Sequence, residues 1–313
     1  MMFLLIRVSL FFTNLANYIS HRTGRYILLS LALLIGATPI ATASKSPVYN
    51  GFFYRIQQGE RVGYLYGTTH IGKKSMYPLP SQVLQALDRT KVLAVEVEEN
   101  MENQNEMAIS MVDLQFNLEA HISPTDWQQT LKYCARDGIP PEMIRRFKPV
   151  FAAILFTLGD IKRAGYSPEL GIDRHLERRA KAQNIPVVAL ESAATQLAIF
   201  DVLTLDEQLD LYSTALKEMA HGDMVKFIRR LMNKWQRGDE VGAQQLTNLG
   251  LNKGKPYYPK LKAALLADRN LKMVEAIDTL PSPFFVAVGA GHLLEKEGLV
   301  ELFRRKGYQI TRQ

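Results

Sequence analysis

Cysteine is almost absent from this chain, which has 313 residues and a single cysteine, Cys134. One thiol forms no disulfide within the chain and builds no cysteine-based zinc site. Stability must therefore come from a buried core, which a chain of this length is able to form. A composition that is 47% hydrophobic and 22% charged is that of an ordinary globular protein, and it excludes a disordered or collagen-like chain.

Dense runs of basic residues are missing as well. The formal net charge is +7, and it falls to +4 without residues 1–43, which hold Arg7, Arg22 and Arg25 and no acid. The nearest basic segment, residues 253–260, is short and broken by proline, so we interpret it as a solvated loop. The sequence therefore predicts no nucleic-acid partner.

Long apolar runs are confined to the N-terminus. Arg22 and Arg25 precede an apolar stretch over residues 26–40, and the small residues 41–43 offer a cleavage site. This is the layout of a secretory signal peptide, so residues 1–43 predict export to the periplasm or beyond. Retention of the segment as an inner-membrane anchor is the alternative, and it is the one way in which we expect a membrane contact.

No linker rich in glycine, serine or proline divides residues 44–313, which are therefore expected to form one α/β domain. Alternating or continuous apolar runs predict a sheet. Helical patterns at about 101–165 and 200–280 predict insertions that cap the carboxyl edge of this sheet. The predicted strands are residues 52–56, 62–66, 91–98, 184–191, 284–288 and 308–310.

Two glycine–histidine turns follow predicted strands. Gly67-Thr68-Thr69-His70 comes after strand 62–66, and Gly289-Ala290-Gly291-His292 comes after strand 284–288. Each turn leads into a helix and a further strand, so the sheet is expected to contain two strand–Gly-x-x-His–helix–strand units. Glycine permits the sharp exit from the strand and a close approach of the backbone to a ligand.

Acidic residues end two other strands. Glu96 and Glu98 end strand 91–98 and are spaced by two, which places them on one face of a strand. Glu191 ends strand 184–191. Because ligands and catalytic groups gather at the carboxyl edge of such sheets, His70, His292, Glu96 and Glu191 are expected to converge there.

Two imidazoles and two carboxylates suit a divalent ion such as Mn²⁺, Co²⁺, Fe²⁺ or Zn²⁺. Such an ion lowers the pKa of a bound water to about 7, and a spare carboxylate is able to act as the general base. From the residues alone a simpler interpretation stays open. A glutamate that ends an apolar strand is often merely the first solvated residue.

The motifs together resemble the TraB/GumN family over residues 48–311. The resemblance rests on seven blocks in order: Tyr66-Gly-Thr-Thr-His70, Pro78-Leu-Pro80, Val95-Glu-Val-Glu98, Gly171-Ile-Asp173, Leu190-Glu191, Arg269-Asn270 and Val286-Ala-Val-Gly-Ala-Gly-His-Leu293. That family is grouped with Tiki-type metalloproteases and with erythromycin-esterase-like and ChaN-like proteins. The resemblance implies an α/β core with helical insertions and a metal-dependent catalytic centre.

Carried over by position, the resemblance makes His70, His292 and Glu96 the catalytic residues and metal ligands, with Glu191 as a further ligand. Asp173 and Arg269 then orient ligands or hold a substrate carboxylate, and Glu98 joins them as a binding or supporting residue. On the residues alone, Asp173 is interpretable as a helix N-cap and Arg269 as a surface ion-pair partner.

The function that follows is an exported, metal-dependent hydrolase that uses Mn²⁺, Co²⁺ or Zn²⁺ and cleaves a peptide or amide bond in a peptide or small-molecule substrate. The alternative is an envelope protein that sequesters haem, a small molecule or a peptide signal without turnover, as the ChaN-like proteins suggest. The sequence leaves both open.

Overall fold

The computed structural model describes residues 51–98, 100–251 and 254–313. The predicted signal segment, residues 1–43, lies outside this range. The described chain is a mixed α/β domain, which confirms the expected fold class. Its six strands are β1 Phe52–Gln58, β2 Arg61–Thr68, β3 Val92–Val95, β4 Val187–Ala189, β5 Phe284–Gly289 and β6 Gln309–Arg312.

The strands form one sheet in the order β4-β3-β5-β2-β1-β6. β4, β3, β5 and β2 are mutually parallel, whereas β1 is antiparallel to both β2 and β6. β1 and β2 form the expected hairpin, in which Gly59 occupies the two-residue turn with φ +57°. A positive φ in such a turn matches the twist of the strands it joins, and glycine adopts it without strain.

The sheet order interleaves the two units that carry the histidine turns. β2 is followed in sequence by a helix and β3, but β5 lies between β2 and β3 and pairs with both. The pairing of Gly67 with Val288 and of Thr68 with Gly289 places the two strand ends side by side. The chain therefore brings its first and last parallel strands together at the same edge of the sheet.

Helices outnumber strands and surround the sheet. They are α1 Ser81–Asp88, α2 Met101–Ser110, α3 Pro124–Asp137, α4 Pro141–Ile144, α5 Pro149–Arg163, α6 Ile172–Ala182, α7 Ala193–Leu197, α8 Leu205–Ala220, α9 Asp223–Gln236, α10 Glu240–Leu251, α11 Tyr258–Lys262, α12 Asp268–Asp278 and α13 Leu299–Arg305. The apolar α5 is almost entirely buried and packs against α8. None of the helices described is both long and apolar enough to cross a bilayer.

Two strands are shorter than the apolar runs predict. The run over 91–98 yields a strand only at Val92–Val95, and the run over 184–191 only at Val187–Ala189. Residues beyond the last pairing partner leave the regular alternation of a strand. Glu96 and Glu98 therefore lie past the end of β3, and their spacing by two does not place them on a common face.

Candidate active site

His70, Glu96 and His292 meet at the carboxyl edge of the sheet. Glu96 Oε1 lies 3.6 Å from His70 Nε2, and Glu96 Oε2 lies 3.9 Å from His292 Nε2. All three residues are buried, and Glu96 is only 2% exposed. The convergence follows from the sheet order, because β3, β5 and β2 are neighbours and each of these residues lies just past the end of one of them.

A side-chain oxygen lies within hydrogen-bond distance of the Nδ1 atom of each imidazole. His70 Nδ1 lies 2.7 Å from Asp173 Oδ2, and His292 Nδ1 lies 2.6 Å from Asn270 Oδ1. Asn270 Nδ2 donates to the carbonyl of Glu297, so its Oδ1 is the acceptor in the histidine contact. Both Nδ1 atoms therefore carry a proton, and the hydrogen-bond network directs each Nε2 towards Glu96.

Three donors hold Glu96 in place. The Gly289 N–H donates to Oε1 at 2.6 Å, whereas Arg269 Nη2 and Gln196 Nε2 donate to Oε2 at 2.7 and 2.9 Å. These donors come from the end of β5, from α12 and from α7. The carboxylate is thus fixed as an anion whose position depends on three separate elements.

Arg269 links Glu96 to Glu191. Its Nε donates to Glu191 Oε2 at 2.9 Å and its Nη2 contacts Glu191 Oε1, which also accepts from Gln196 at 2.7 Å. Burial works to lower the pKa of Arg269, but its hydrogen bond to Glu191 and the charges of Glu96 and Glu191 outweigh burial and raise it. Glu191 therefore holds Arg269 in place, because both Glu191 oxygens contact the guanidinium.

The other predicted residues lie in two places. Asp173 reaches the cluster through His70, where it serves as an orienting partner. Glu98 is 38% exposed and lies 3.4 Å from Lys181 Nζ, so its described contact is away from the cluster. The structure therefore brings together His70, His292, Glu96, Glu191, Asp173 and Arg269 and leaves Glu98 at the surface.

Sequence reasoning missed three contributors. In the sequence Asn270 stands out only as the neighbour of Arg269, yet its side chain is 1% exposed and orients His292. Gln196 binds both carboxylates, and Trp235 Nε1 donates to the Gly67 carbonyl at 2.6 Å from α9. A π turn at Ala263–Ala267 precedes the Arg269-Asn270 pair. Such turns are frequent at functional sites, but the sequence pattern carries no sign of this one.

The cluster is rich in buried carboxylates. Glu96, Glu191 and Asp173 lie in it beside one guanidinium, from Arg269. Because a buried carboxylate is costly unless positive charge lies beside it, this set of side chains suits a cation.

The ligands of one metal ion lie at a defined distance from each other, which the spacing of this cluster approaches. Two atoms that each lie about 2.1 Å from a shared ion are roughly 3.0–3.6 Å apart. The 3.6 Å between His70 and Glu96 falls at the end of this range, and the 3.9 Å between His292 and Glu96 lies a little beyond it. Among the described residues, no three His, Cys, Asp or Glu side chains are arranged to hold a metal ion. The donor types are those that divalent metals use, but His292 and Glu96 would have to approach by a few tenths of an ångström to share an ion.

Comparison with known proteins identifies the family of this chain. A sequence model of the TraB/PrgY/gumN family matches residues 52–312. The chain belongs to this family. Two relatives named uncharacterized protein YbaP, from Shigella flexneri and Escherichia coli strain K12, are each 26% identical over 247 residues. The alignments cover 79% of this chain and 89% of each relative.

Replacement of Arg269 by methionine should strongly destabilise this TraB-family domain. The change leaves Glu96 and Glu191 buried without their cation, and breaking such a pair costs about 3–5 kcal/mol. We expect that loss in the free energy of unfolding at pH 7, measured by urea denaturation. The loss should shrink as the pH falls, because protonation of the two carboxyls in the folded variant removes the uncompensated charge.

Arg179→Met is the matched control. Arg179 binds Asp88 through two hydrogen bonds of 2.8 and 2.6 Å, but this pair lies at the surface. Its loss should cost no more than about 1 kcal/mol. Equal losses in the two variants would contradict a special role for the buried guanidinium.

Proposed function

We propose that this chain is an exported, metal-dependent hydrolase that cleaves peptide or amide bonds. The observation that carries the proposal is the pair of buried imidazoles whose Nε2 atoms face one carboxylate while their Nδ1 atoms are locked by Asp173 and Asn270. Oxygen partners at the outer nitrogen are the usual support of metal-binding histidines. The resemblance of the motifs to Tiki-type metalloproteases supports the bond type.

His70 and His292 would hold the ion, with Glu96 beside them. A bound Mn²⁺, Co²⁺ or Zn²⁺ lowers the pKa of its water to about 7 and so supplies hydroxide at neutral pH. The protein contributes position: Asp173 and Asn270 fix the rings, and Arg269 and the Gly289 amide fix the carboxylate. Fixed groups of this kind lower the cost of reorganisation during the reaction.

Glu96 is also the better candidate for the proton acceptor. The described contacts of Glu191 are with Arg269 and Gln196 and none is with an imidazole, whereas Glu96 faces both histidines. Glu96 Oε1 accepts from the Gly289 amide and faces His70 at 3.6 Å. We therefore assign the general-base role to Glu96 Oε1.

One observation favours the alternative, a protein that binds a ligand or peptide signal without turnover. Glu96 accepts from Gly289, Arg269 and Gln196, and hydrogen bonds to the charged form of a carboxylate make it a weaker base. A carboxylate stabilised in this way also suits a site that only holds a cation or ligand. Substitution of Glu96 separates the two functions.

Substitution of either histidine should abolish metal binding. His70→Ala and His292→Ala each remove one of two imidazole ligands, so bound Mn²⁺, Co²⁺ or Zn²⁺ should fall at least tenfold in elemental analysis of the purified protein. His221→Ala is the control, because His221 is exposed at the end of α8 and bonds only a nearby backbone carbonyl in the described contacts. Metal at the wild-type level in both site variants would rule out the proposed centre.

Glu96→Gln should stop turnover without preventing binding. Loss of a general base typically lowers the rate by 10²–10⁴-fold, and glutamine keeps the size of the side chain. The measurement is cleavage of a mixed peptide pool with each added metal, alongside binding of the same pool. Glu98→Gln, at the exposed neighbouring acid, is the control and should cleave like the wild type. Cleavage by Glu96→Gln at the wild-type rate would exclude Glu96 as the general base, whereas binding of the pool by the wild type without cleavage would favour the sequestering function.

Export is proposed from the N-terminal sequence alone. Residues 1–43 have the charge and apolar pattern of a signal peptide, with small residues 41–43 before Ser44. In cells that express the full chain, we expect the mature protein in the periplasmic fraction with a new N-terminus at Ser44, read by mass spectrometry. Full-length protein in the membrane fraction would instead indicate a retained anchor, and full-length protein in the cytoplasm would contradict export.

A further inference from the structure

Two buried hydroxyl groups on β2 lack hydrogen-bond partners. Tyr66 and Thr68 are both 0% exposed, and within the described part of the chain neither Tyr66 Oη nor Thr68 Oγ1 has a partner. They are two residues apart in one strand, so they point to the same face of the sheet. An unpaired buried hydroxyl is costly, and a folded protein usually retains one only for a ligand or an ordered water.

The two hydroxyls lie immediately before the first histidine turn. His70 follows Thr68 by two residues, and Thr68 pairs across the sheet with Gly289, whose amide holds Glu96. The end of β2 that carries the two hydroxyls is therefore next to the cluster, and Tyr66 Oη itself lies against Gly51, the residue before β1. Burial, with a smaller contribution from Tyr77, raises the pKa of Tyr66, so its hydroxyl stays protonated and able to donate.

The cap does not satisfy these hydroxyls. Trp235 of α9 packs against the Tyr66 ring, with 6.3 Å between ring centroids, and covers this face of β2. Its single N–H, however, donates to the carbonyl of Gly67, the residue between Tyr66 and Thr68. The indole thus closes the space from water without supplying a partner for either hydroxyl.

A third unpaired atom borders the same cluster. Gln196 is 1% exposed and donates through Nε2 to Glu96 and Glu191, while its Oε1 has no partner among the described residues. Unpaired polar atoms therefore occur at two places next to the cluster, two donors on β2 and one acceptor on α7. This distribution indicates a polar ligand that contacts both.

We propose that Tyr66 and Thr68 bind the carbonyl oxygen of the substrate's scissile amide and stabilise the negative charge that develops on it. The proposal rests on the hydrolase function above and makes Tyr66 and Thr68 further catalytic residues. Neutral hydroxyl donors suit a carbonyl better than a carboxylate, and the guanidinium of the cluster, Arg269, is already engaged by Glu96 and Glu191. Gln196 Oε1 is then the acceptor available to an amide N–H, which an ester lacks.

The test measures both the melting temperature and the peptide cleavage of the whole purified protein. Tyr66→Phe and Thr68→Val each remove one hydroxyl and keep the shape of the side chain. Tyr64→Phe is the control for the first, because Tyr64 lies on the same face of β2 two residues further from the edge. Thr90→Val is the control for the second, because the Thr90 hydroxyl is buried but bonded to the carbonyl of Leu87.

Melting temperature and cleavage should respond in opposite directions. Without ligand, Tyr66→Phe and Thr68→Val should melt at or above the wild-type temperature, because each removes an unpaired buried group. Cleavage of the peptide pool should fall about 10²-fold in each, as it does when one oxyanion donor is lost. Thr90→Val should melt lower, and both controls should cleave at the wild-type rate.

Three results would overturn the inference. A lower melting temperature for Tyr66→Phe than for Tyr64→Phe would show that the hydroxyl has a structural partner, such as a buried water. Cleavage by Tyr66→Phe and Thr68→Val at control rates would show that the hydroxyls do not act on the substrate. If the wild type cleaves no peptide, the hydrolase function fails separately. In that case, binding of the peptide pool to the metal-free protein tests the hydroxyls. Their role is refuted if Tyr66→Phe and Thr68→Val bind the pool as tightly as the wild type does. It is also refuted if the wild type does not bind the pool.

Discussion

The buried anion of Glu96 constrains the site more than any other group. A carboxylate that is 2% exposed has given up its hydration and must be matched by donors or charge from the protein. Those donors come from the Gly289 amide at the end of β5, from Arg269 in α12 and from Gln196 in α7, so three separate elements of the fold must be correctly placed at once. The two imidazoles then face an anion whose position is already determined.

Each imidazole is oriented independently of the other. Asp173 comes from the first turn of α6 and Asn270 from the first turn of α12, and these helices belong to different crossovers. The rings therefore depend on helix placement as well as on the Gly-x-x-His turns. A 1 Å error in either helix would misdirect an Nε2 atom, which explains why both orienting residues are buried.

Local pattern was sufficient for the sheet and for the histidines. The β1–β2 hairpin, the apolar β5 and the two Gly-x-x-His turns each depend on consecutive residues, so local pattern predicts them, and the structure contains all of them. The predicted ends of the strands are less accurate, because an apolar run does not show where hydrogen bonding to the neighbouring strand stops. The assignment of Glu98 to the same face as Glu96 fails for that reason, since β3 ends at Val95.

The supporting residues could not be predicted from local pattern because their contacts are long-range. Gln196 binds a carboxylate 100 residues away, and Trp235 binds a carbonyl 168 residues away. Nothing adjacent to either residue distinguishes it from an ordinary helix residue. For the same reason the sequence alone allows Arg269 to be a surface ion-pair partner, and its burial against Glu96 and Glu191 is visible only in the folded chain.

The bond from Trp235 to Gly67 changes how the helical cap should be understood. A lid that opens freely is joined to its site by few buried contacts, since mobile elements have low local stability. Here the indole is 2% exposed, packs on Tyr66 and donates to the backbone three residues before His70. Movement of α9 away from the sheet would break that bond and disturb the turn that carries His70. Trp235 therefore ties α9 to β2, so the placement of α9 and the geometry of the first histidine turn are coupled.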